Sequence, residues 1–215
     1  MDLDKLMSKH LTRYFDGTKT IPEETLDQLL RFLRSTPSSV NIQPNHFYVL
    51  STEAGKRKLA DNLGERFQDN AEKVMNASQV VILTTRTDVP DAHLDAIFAK
   101  ERADGRFPEV ATHDLWESMT RDFLNIRGTT YDDLDHWMEK QTYMAVGMTM
   151  MAAAELGIDA TPLEGFDRDS VDSAFDLPAT GYTTTVLLAL GYPDPTKVYA
   201  TPISRFDHDR IFTFM

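Results

Sequence analysis

The feature that most constrains this fold is a long helical pattern between about Asp132 and Leu156. Side chains recur there near the 3.6-residue period of an α-helix, at Leu134, Trp137, Met138, Gln141, Ala145, Met148, Ala152 and Leu156. The C-terminal half of the segment, rich in methionine and alanine, is apolar on nearly every side. Because a helix that is apolar all round is a buried one, we expect a central helix or one covered by a partner subunit. The methionines are interpreted as adaptable core packing rather than as a metal or redox site.

Short strand-like runs stand between helical patterns along the rest of the chain. Residues 47–50, 79–84 and 183–190 are apolar or β-branched, and a further short strand is expected near residues 157–160. No linker, repeat or low-complexity tract divides the chain. The sequence therefore predicts a mixed, mostly helical protein that forms one domain over residues 1–215.

Charge and cysteine content exclude several classes of protein. The chain has 22 basic and 34 acidic side chains and a net charge of −12, which disfavours nucleic acid as a partner because such binding depends on neutralising phosphates. It has no cysteine, so disulfides, thiolate metal sites and a cysteine nucleophile are excluded. No apolar run approaches the ~20 residues of a membrane span, and the start lacks the regions of a signal peptide, so we expect a cytoplasmic protein that does not bind membranes.

One basic cluster stands near the N terminus. It contains Lys5, Lys9, His10 and Arg13, with no acid after Asp4 until Asp16. An acidic protein can focus a small anion at such a cluster. The alternative is that Lys5 and Lys9 form a solvated pair on a helix.

Two loops offer polar groups without strong acids or bases. Residues 37–47 carry hydroxyls and side-chain amides between two prolines, which suits a flat polar ligand, although a simple polar turn has the same composition. Residues 161–167 form a Pro…Gly turn where Gly165 would let a ligand approach the main chain. Alternatively, this turn only connects a strand to a helix that Asp167 caps.

The standard catalytic motifs are absent. The sequence has no phosphate-binding P-loop, GxGxxG turn, HExxH or GxSxG. The histidines are scattered singly, and Asp207-His208-Asp209 is interpreted as a solvated surface run, so no metal site is predicted. Polar loops, a basic cluster and a buried helix are typical of a protein whose chemistry belongs to a bound cofactor.

The order of several segments is similar to that of the FMN-dependent nitroreductase family, in its branch of oxygen-insensitive NAD(P)H nitroreductases and flavin reductases. The matching segments are residues 10–16, the polar loop at 37–47, Ala103-Asp104-Gly105-Arg106-Phe107, Trp137-Met138-Glu139-Lys140-Gln141-Thr142-Tyr143, residues 156–166 and Ser204-Arg205. They run in order from residue 10 to 205, so the resemblance covers nearly the whole chain.

The resemblance implies a three-layer helix–sheet–helix α+β domain with a mainly antiparallel or mixed central sheet. It also implies a homodimer with two FMN sites at the interface, in which the long helix is the dimer core and the C-terminal segment reaches the partner subunit. The residues that match the family's FMN site are Lys9, His10, Leu11, Thr12, Arg13, Ser38, Ser39, Asn41, Asn70, Lys73, Gln141, Pro162, Leu163, Glu164, Gly165 and Arg205. The three residues of the polar loop would contact the partner's flavin, while Lys9, His10 and Arg205 would hold the phosphate.

The activity that the resemblance implies is ping-pong electron transfer. NAD(P)H would give a hydride to FMN, and a nitroaromatic, a quinone or an oxidised flavin would then accept two electrons at the same face, beside Phe123. Arg13 and Lys73 would stabilise the negative charge of the reduced flavin. No side chain is expected to act as a general acid. The alternatives are an FMN-binding sensor or carrier without efficient turnover and an interaction domain that binds no flavin.

Three positions depart from the family's pattern at the phosphate end of the site. Lys9 stands where the family has Arg, Leu11 where it commonly has Ser, and Ile203 where it usually has Lys. Lys9 keeps the charge but loses the bidentate fork, and the other two residues cannot donate to phosphate. We therefore expect weaker and more salt-sensitive retention of FMN than in the relatives.

Overall fold

Four antiparallel strands form the centre of the fold. They are β1 (Asn45–Leu50), β2 (Gln79–Arg86), β3 (Asp159–Leu163) and β4 (Tyr182–Gly191), in the spatial order β1-β2-β4-β3. The structure, a computed structural model, describes residues 12–197 and 203–215. Each neighbouring pair of strands is antiparallel, with Ile82 of β2 opposite both Tyr48 and Leu187. The antiparallel sheet expected from the family resemblance is confirmed.

Helices cover both faces of this sheet. Those in the described residues are α1 (Glu23–Arg34), α2 (Glu53–Ala60), α3 (Ala71–Asn76), α4 (Asp91–Ala103), α5 (Val110–Ile126), α6 (Leu134–Glu155), α7 (Arg168–Ala174), α8 (Leu177–Thr180) and α9 (His208–Ile211). Short 3-10 segments occupy Ser39–Asn41 and Glu65–Asn70, and a π-helical turn at Arg127–Tyr131 joins α5 to α6. None of the described helices has the length and apolarity to cross a membrane.

Alternating side chains of β2 give the domain its two cores. Val80 and Ile82 pack with α2, α3 and α7, whereas Val81 and Leu83 pack with α1 and α6. Successive side chains of a strand point to opposite faces, so a strand buried on both faces is apolar at nearly every position. The result is the three-layer helix–sheet–helix arrangement. A third apolar cluster joins α4, α5 and the start of α6 to Ile42.

Side-chain caps fix the starts of α2 and α7. The Thr52 hydroxyl accepts from the Gly55 amide at 3.1 Å, and the Asp167 carboxylate accepts from the Ser170 amide at 2.9 Å, which is the cap that the sequence offers as one interpretation of residues 161–167. In the first turn of α2, Lys56 Nζ donates to the carbonyls of Met75 (2.8 Å) and Ala77 (2.6 Å). These bonds satisfy carbonyls at the end of α3 and fix that helix against α2.

Helix α6 is the predicted long helix, and only one of its faces is buried within the chain. Its inner face packs on the sheet through small and apolar residues that include Ala145 and Ala153. On its outer face, Met144 is 45% exposed and Met151 is 47% exposed. An apolar groove of about 300 Å³ runs beside that face, lined by Gln28, Phe32, Met148, Met151, Ala152, Glu155 and Leu156. Burial of the helix, as expected from sequence, is therefore confirmed for one face of the single chain.

The C-terminal segment, residues 203–215, is exposed along its whole length. It carries Phe206, Ile211 and Phe212, and Phe214 is 84% exposed. Large apolar side chains in such a row are unusual on a monomer surface.

Candidate cofactor site

Asn70 lies at the centre of a hydrogen-bond chain that joins three of the predicted cofactor contacts. Its amide nitrogen donates to the Gly165 carbonyl at 2.8 Å, and its amide oxygen accepts from Lys73 Nζ at 2.8 Å. A Cβ atom on Gly165 would lie 2.8 Å from the Asn70 amide nitrogen and 3.1 Å from the Phe67 ring. Only glycine permits this close approach, so the chain brings the cation of Lys73 to the turn that follows β3.

A polar cavity of about 470 Å³ opens beside this chain and is lined by Arg13, Tyr14, Gln68, Asp69, Glu72 and Lys73. Its volume lies within the range of small-molecule sites, roughly 300–1,000 Å³. Two cations and two carboxylates face it, so the wall can attract an anionic ligand group at one position and repel it at another. Arg13 and Lys73 are therefore the described residues suited to an anionic or electron-rich ligand edge.

The segment that carries Arg13 is fixed to the sheet by its neighbours. The Thr12 hydroxyl donates to the Asp159 carboxylate, and the Thr161 hydroxyl donates to the Thr12 carbonyl at 2.9 Å. Thr12 is buried, and its side chain is engaged inside the protein rather than turned to a ligand. Its predicted contact with a cofactor is thus limited to its main chain, while its burial holds Arg13 at the cavity.

The turn at residues 162–165 presents its main chain together with one carboxylate. Leu163 points into the core, whereas Glu164 is exposed and accepts a hydrogen bond from the Tyr143 hydroxyl at 2.8 Å. Partial burial, reinforced by the Glu164 carboxylate, raises the pKa of Tyr143 to about 12. Tyr143 therefore stays protonated near neutral pH and orients Glu164.

The polar loop forms a second group of predicted contacts. The Ser39 amide donates to Gln141 Oε1 at 2.9 Å, and Gln141 Nε2 donates to the Trp137 carbonyl at 2.9 Å. Both ends of the buried Gln141 amide are thus engaged within the chain. The Gln43 amide donates to the Ser38 hydroxyl at 2.9 Å, which closes the loop on itself.

Three residues of this loop have left-handed backbone conformations, with φ of 48° at Val40, 54° at Asn41 and 44° at Gln43. The left-handed region costs a non-glycine residue roughly 1–2 kcal/mol. Strain of this kind persists only where the surroundings hold it, and it clusters at ligand sites. The held, strained loop supports a binding role more than the simple polar turn that its composition alone allowed.

Phe123 lies on the same side of the molecule as the polar loop. Its ring packs edge-on against Trp137, with ring centroids 5.4 Å apart, and the Arg127 guanidinium lies 5.3 Å from the centre of the Phe123 ring. Phe123 is half-buried and belongs to the apolar cluster that contains Ile42. The aromatic side chain predicted at the substrate face therefore stands on α5, next to the loop.

The two groups of contacts lie on nearly opposite sides of α6. Gln141 reaches the polar loop, and Tyr143 reaches the turn after β3. Residues two positions apart in an α-helix, such as Gln141 and Tyr143, are separated by about 200° around the helix axis. The predicted contacts of one chain therefore fall into two candidate half-sites, one at the cavity with Arg13 and Lys73 and one at the polar loop.

Three predicted contacts lie outside the described residues, namely Lys9, His10 and Leu11. Arg205 lies in the exposed C-terminal segment, where its guanidinium donates to the Ser204 carbonyl at 2.7 Å.

Sequence reasoning missed Tyr143 and Glu101. Glu101 is 3% exposed, and its Oε1 accepts from the Asn41 side-chain amide at 2.6 Å. A signal was available, because positions 94, 97, 98 and 101 share one face of α4 and the first three are apolar. An acid that completes an apolar stripe must find partners inside the protein.

One set of possible metal ligands occurs within the described ranges. Suitable atoms of His113, Asp114 and Glu117 lie within 4.8 Å of one another. The Arg102 guanidinium contacts both carboxylates, at 3.0 Å for Asp114 and 2.7 Å for Glu117. The positive charge of Arg102 thus already pairs with the two carboxylates that a metal ion would need.

The protein is an α+β domain with a polar cavity whose cations are suited to a small anionic ligand. A model of the Nitroreductase family matches residues 6–192, and the chain belongs to this family. It is 35% identical over 186 residues to the oxygen-insensitive NAD(P)H nitroreductase of Salmonella typhimurium, with 86% of each chain covered. It is 27% identical over 212 residues to the major NAD(P)H-flavin oxidoreductase of Aliivibrio fischeri, with 98% of this chain and 96% of the relative covered.

A solved structure has the same fold. The Exiguobacterium sibiricum protein, crystallised in complex with FMN, superposes with a TM-score of 0.83 at 22% identity and covers 100% of this chain and 98% of its own. At this identity the likeness shows the fold, and the fold class expected from the sequence is confirmed.

Proposed function

We propose that this protein is an FMN-dependent oxidoreductase that takes hydride from NAD(P)H and reduces nitroaromatics, quinones or flavins by two electrons. The observation that carries the proposal is the cavity where Arg13 and Lys73 stand beside the turn at Gly165. Because position 165 lacks a side chain, Asn70 can approach this turn and hold Lys73 beside it, and the cations suit a ligand edge that gains negative charge. The names of the relatives support NAD(P)H as the donor and nitro compounds and flavins as acceptors.

The residues present fit FMN, and each has a definable task. FMN, when bound, supplies the redox chemistry, accepting hydride and passing on electrons. Arg13 and Lys73 would place positive charge where negative charge develops on the cofactor, and Asn70 holds Lys73 in position. The main chain at 162–165 would line the ring, and the Tyr143 hydroxyl orients Glu164. Since the pKa of Tyr143 is about 12, this hydroxyl is a poor proton donor to the acceptor, and solvent supplies protons instead.

The same proposal gives the protein a homodimeric form with FMN at the subunit interface. Three observations support it: the two half-sites on opposite sides of α6, the exposed methionines of its outer face, and the apolar C-terminal segment. A second copy would bring the polar loop of one chain to the cavity of the other. Its α6 would cover Met144 and Met151, and its C-terminal segment would lie across the partner, bringing Arg205 to the phosphate.

The proposal also gives donor and acceptor a common site. NAD(P)H and the acceptor would bind in turn at the face beside Phe123, which gives ping-pong kinetics. Such a reaction needs only NAD(P)H and small-molecule acceptors, without nucleic acid or a membrane. Because its electron donor is a cytoplasmic metabolite, we propose that the protein acts in the cytoplasm.

An anaerobic titration tests the proposed activity. Protein reconstituted with FMN should lose its yellow absorbance on addition of NADH or NADPH and regain it when nitrofurazone or a quinone is added. Protein that binds FMN but is not bleached by either nucleotide would instead be a flavin sensor or carrier, a role that Leu11 and Ile203 at phosphate positions would favour. Failure to acquire a flavin spectrum at all would leave an interaction domain that binds no flavin.

A further inference from the structure

The strained polar loop is held from outside by three side chains that belong to two helices, α4 and α6. Gln141 of α6 accepts from the Ser39 amide, and His93 of α4 donates through Nε2 to the Ile42 carbonyl at 2.8 Å. Glu101, also on α4, holds the Asn41 side chain at 2.6 Å, the shortest of these contacts. Of these three anchors, only Glu101 is an acid, and it binds the residue with the largest positive φ in the loop, 54°.

The Glu101 carboxylate gathers three donors from different parts of the chain. Its Oε1 accepts from Asn41 at 2.6 Å and from Arg106 Nη1 at 2.8 Å, and its Oε2 accepts from Trp116 Nε1 at 3.2 Å. The Arg106 guanidinium also lies 5.5 Å from the centre of the Trp116 ring. A buried carboxylate with three donors and one cation is electrically compensated and directionally fixed.

We propose that Glu101 is a positioning residue that holds Asn41 in its left-handed conformation and so presents the polar loop to the FMN of the second subunit. Through Trp116 it also ties the loop to α5, the helix that carries Phe123. One carboxylate thereby sets the loop and the substrate-side helix in a common position. This inference rests on the proposed function, because the loop has a ligand to meet only if FMN binds.

The chemistry of the three donors explains why the residue is an acid. An ionised carboxylate accepts at both oxygens and donates at neither. A glutamine at 101 would keep an acceptor for Asn41 and Arg106 but would turn its own amide hydrogens toward the Trp116 N–H. We therefore expect the FMN affinity of Glu101→Gln to lie between that of the native protein and that of Glu101→Ala.

The first experiment is a double-mutant cycle read out as FMN affinity. Glu101→Ala and Asn41→Ala should each weaken FMN binding by about tenfold, the effect of losing one charge-assisted hydrogen bond. The double variant should bind FMN no more weakly than Asn41→Ala alone, because the effect of Glu101 on the FMN-facing loop passes through its contact with Asn41. Glu101→Gln should recover most of the affinity, and the loss should appear in FMN dissociation and acceptor KM rather than in the kcat of fully loaded enzyme.

A matched control separates positioning from general stability. Asp172 is another buried carboxylate, which accepts from the Thr184 amide at 2.8 Å and from the hydroxyls of Thr183 and Thr184 at 2.6 Å each. Asp172→Asn should lower thermal stability without changing FMN affinity. If Asp172→Asn weakens FMN binding as much as Glu101→Ala does, or if the losses of Glu101→Ala and Asn41→Ala add, the positioning role is wrong.

Hydrogen exchange of the FMN-free protein gives a readout that does not need the cofactor. The amides of Ser39 and Gln43, both hydrogen-bonded in the native loop, should exchange faster in Glu101→Ala and not in Asp172→Asn. Faster exchange in a protein that binds no FMN would refute the proposed function and leave the anchor standing. Unchanged exchange and unchanged FMN affinity in Glu101→Ala, or in Glu101→Gln if the alanine variant does not fold, would refute the anchor.

Discussion

At the scale of single residues, the positive charge of the cavity wall depends partly on Lys73, which a neutral amide, Asn70, holds in position. Lys73 is half-buried and bonded to Asn70, which in turn holds the turn at Gly165. The Lys73 ammonium is thus held in position by the neutral side-chain amide of Asn70. A charge held in this way can act on a ligand through space without reorganising.

Replacing Lys73 tests whether this charge tunes the cofactor. Lys73→Met should make the two-electron midpoint potential of bound FMN more negative by roughly 20–40 mV, equivalent to about 1–2 kcal/mol of lost stabilisation of the reduced form. The measurement is dye equilibration of the reconstituted protein. Lys58→Met is the control with the same change in net charge. It removes an exposed cation of α2 that lies over the Phe175 ring. An equal shift in both variants would mean that net charge, not the site, sets the potential.

His93 gives the polar loop a dependence on pH. Burial lowers the pKa of His93 and the Arg86 charge lowers it further, while the hydrogen bond to Ile42 and the charge of Asp88 oppose this. A lowered pKa in the folded state means that the unfolded chain takes up the proton first as the pH falls. The stability contributed by neutral His93 is therefore complete above the ordinary pKa of 6.5 and is lost below it.

Below about pH 6.5, the unfolding free energy of the wild-type protein should fall more steeply than that of His93→Gln. The glutamine amide of this variant can still donate to the Ile42 carbonyl. The slope difference is at most about 1.4 kcal/mol per pH unit for one proton, and urea unfolding at several pH values measures it. Parallel pH profiles in the two proteins would show that His93 does not titrate differently on folding.

At the scale of elements, the outer face of α6 is the surface whose partner is proposed. Met151→Glu should shift the protein from dimer to monomer and weaken FMN binding, because it would bury an unpaired charge in the interface. Met119→Glu on α5 is the matched control, since Met119 is 56% exposed and Met151 is 47% exposed. Light scattering after size-exclusion chromatography reports the mass of each variant. A Met151→Glu protein that remains dimeric would place the interface elsewhere.

The sequence predicted those elements that carry their own periodic signal. The pattern over residues 132–156 became α6 at Leu134–Glu155, and the apolar run at 79–84 became part of β2 at Gln79–Arg86. Local chemistry also indicated the cap at Asp167, as one interpretation of residues 161–167. These features depend on neighbours in sequence, which is why one sequence suffices to find them.

The strained loop could not be predicted in the same way. Nothing local requires Val40, a β-branched residue, to adopt a φ of 48°, and the anchors that hold the loop come from residues more than 50 positions away, such as Glu101 and Gln141. Among the predicted site residues, the structure brings Asn70, Lys73 and Gly165 together, while their contact with a cofactor stays a prediction. The engagement of Thr12 with Asp159 was not foreseen, because it depends on a tertiary contact.

At the scale of the whole molecule, the exposed tail and the open face of α6 are the surfaces that the proposed dimer would cover. The net charge of −12 opposes the binding of an anionic cofactor at long range, so retention of FMN depends on the few cations brought to its phosphate. Arg205 is the one of these predicted cations that lies within the described ranges. At position 203, where the family resemblance implies a Lys, this chain has the exposed, apolar Ile203.

Retention of FMN should therefore be weak and sensitive to salt. Dialysis at about 1 M salt, where the screening length is about 3 Å, should strip FMN from the wild-type protein, whereas low-salt dialysis should not. Ile203→Lys should add a charge-assisted contact and raise affinity at low salt by roughly tenfold or more. Ile211→Lys adds the same charge to α9 of the same tail and should leave affinity nearly unchanged. Stoichiometric FMN after high-salt dialysis of the native protein would show that contacts to the ring and the ribityl chain compensate for the missing phosphate ligands.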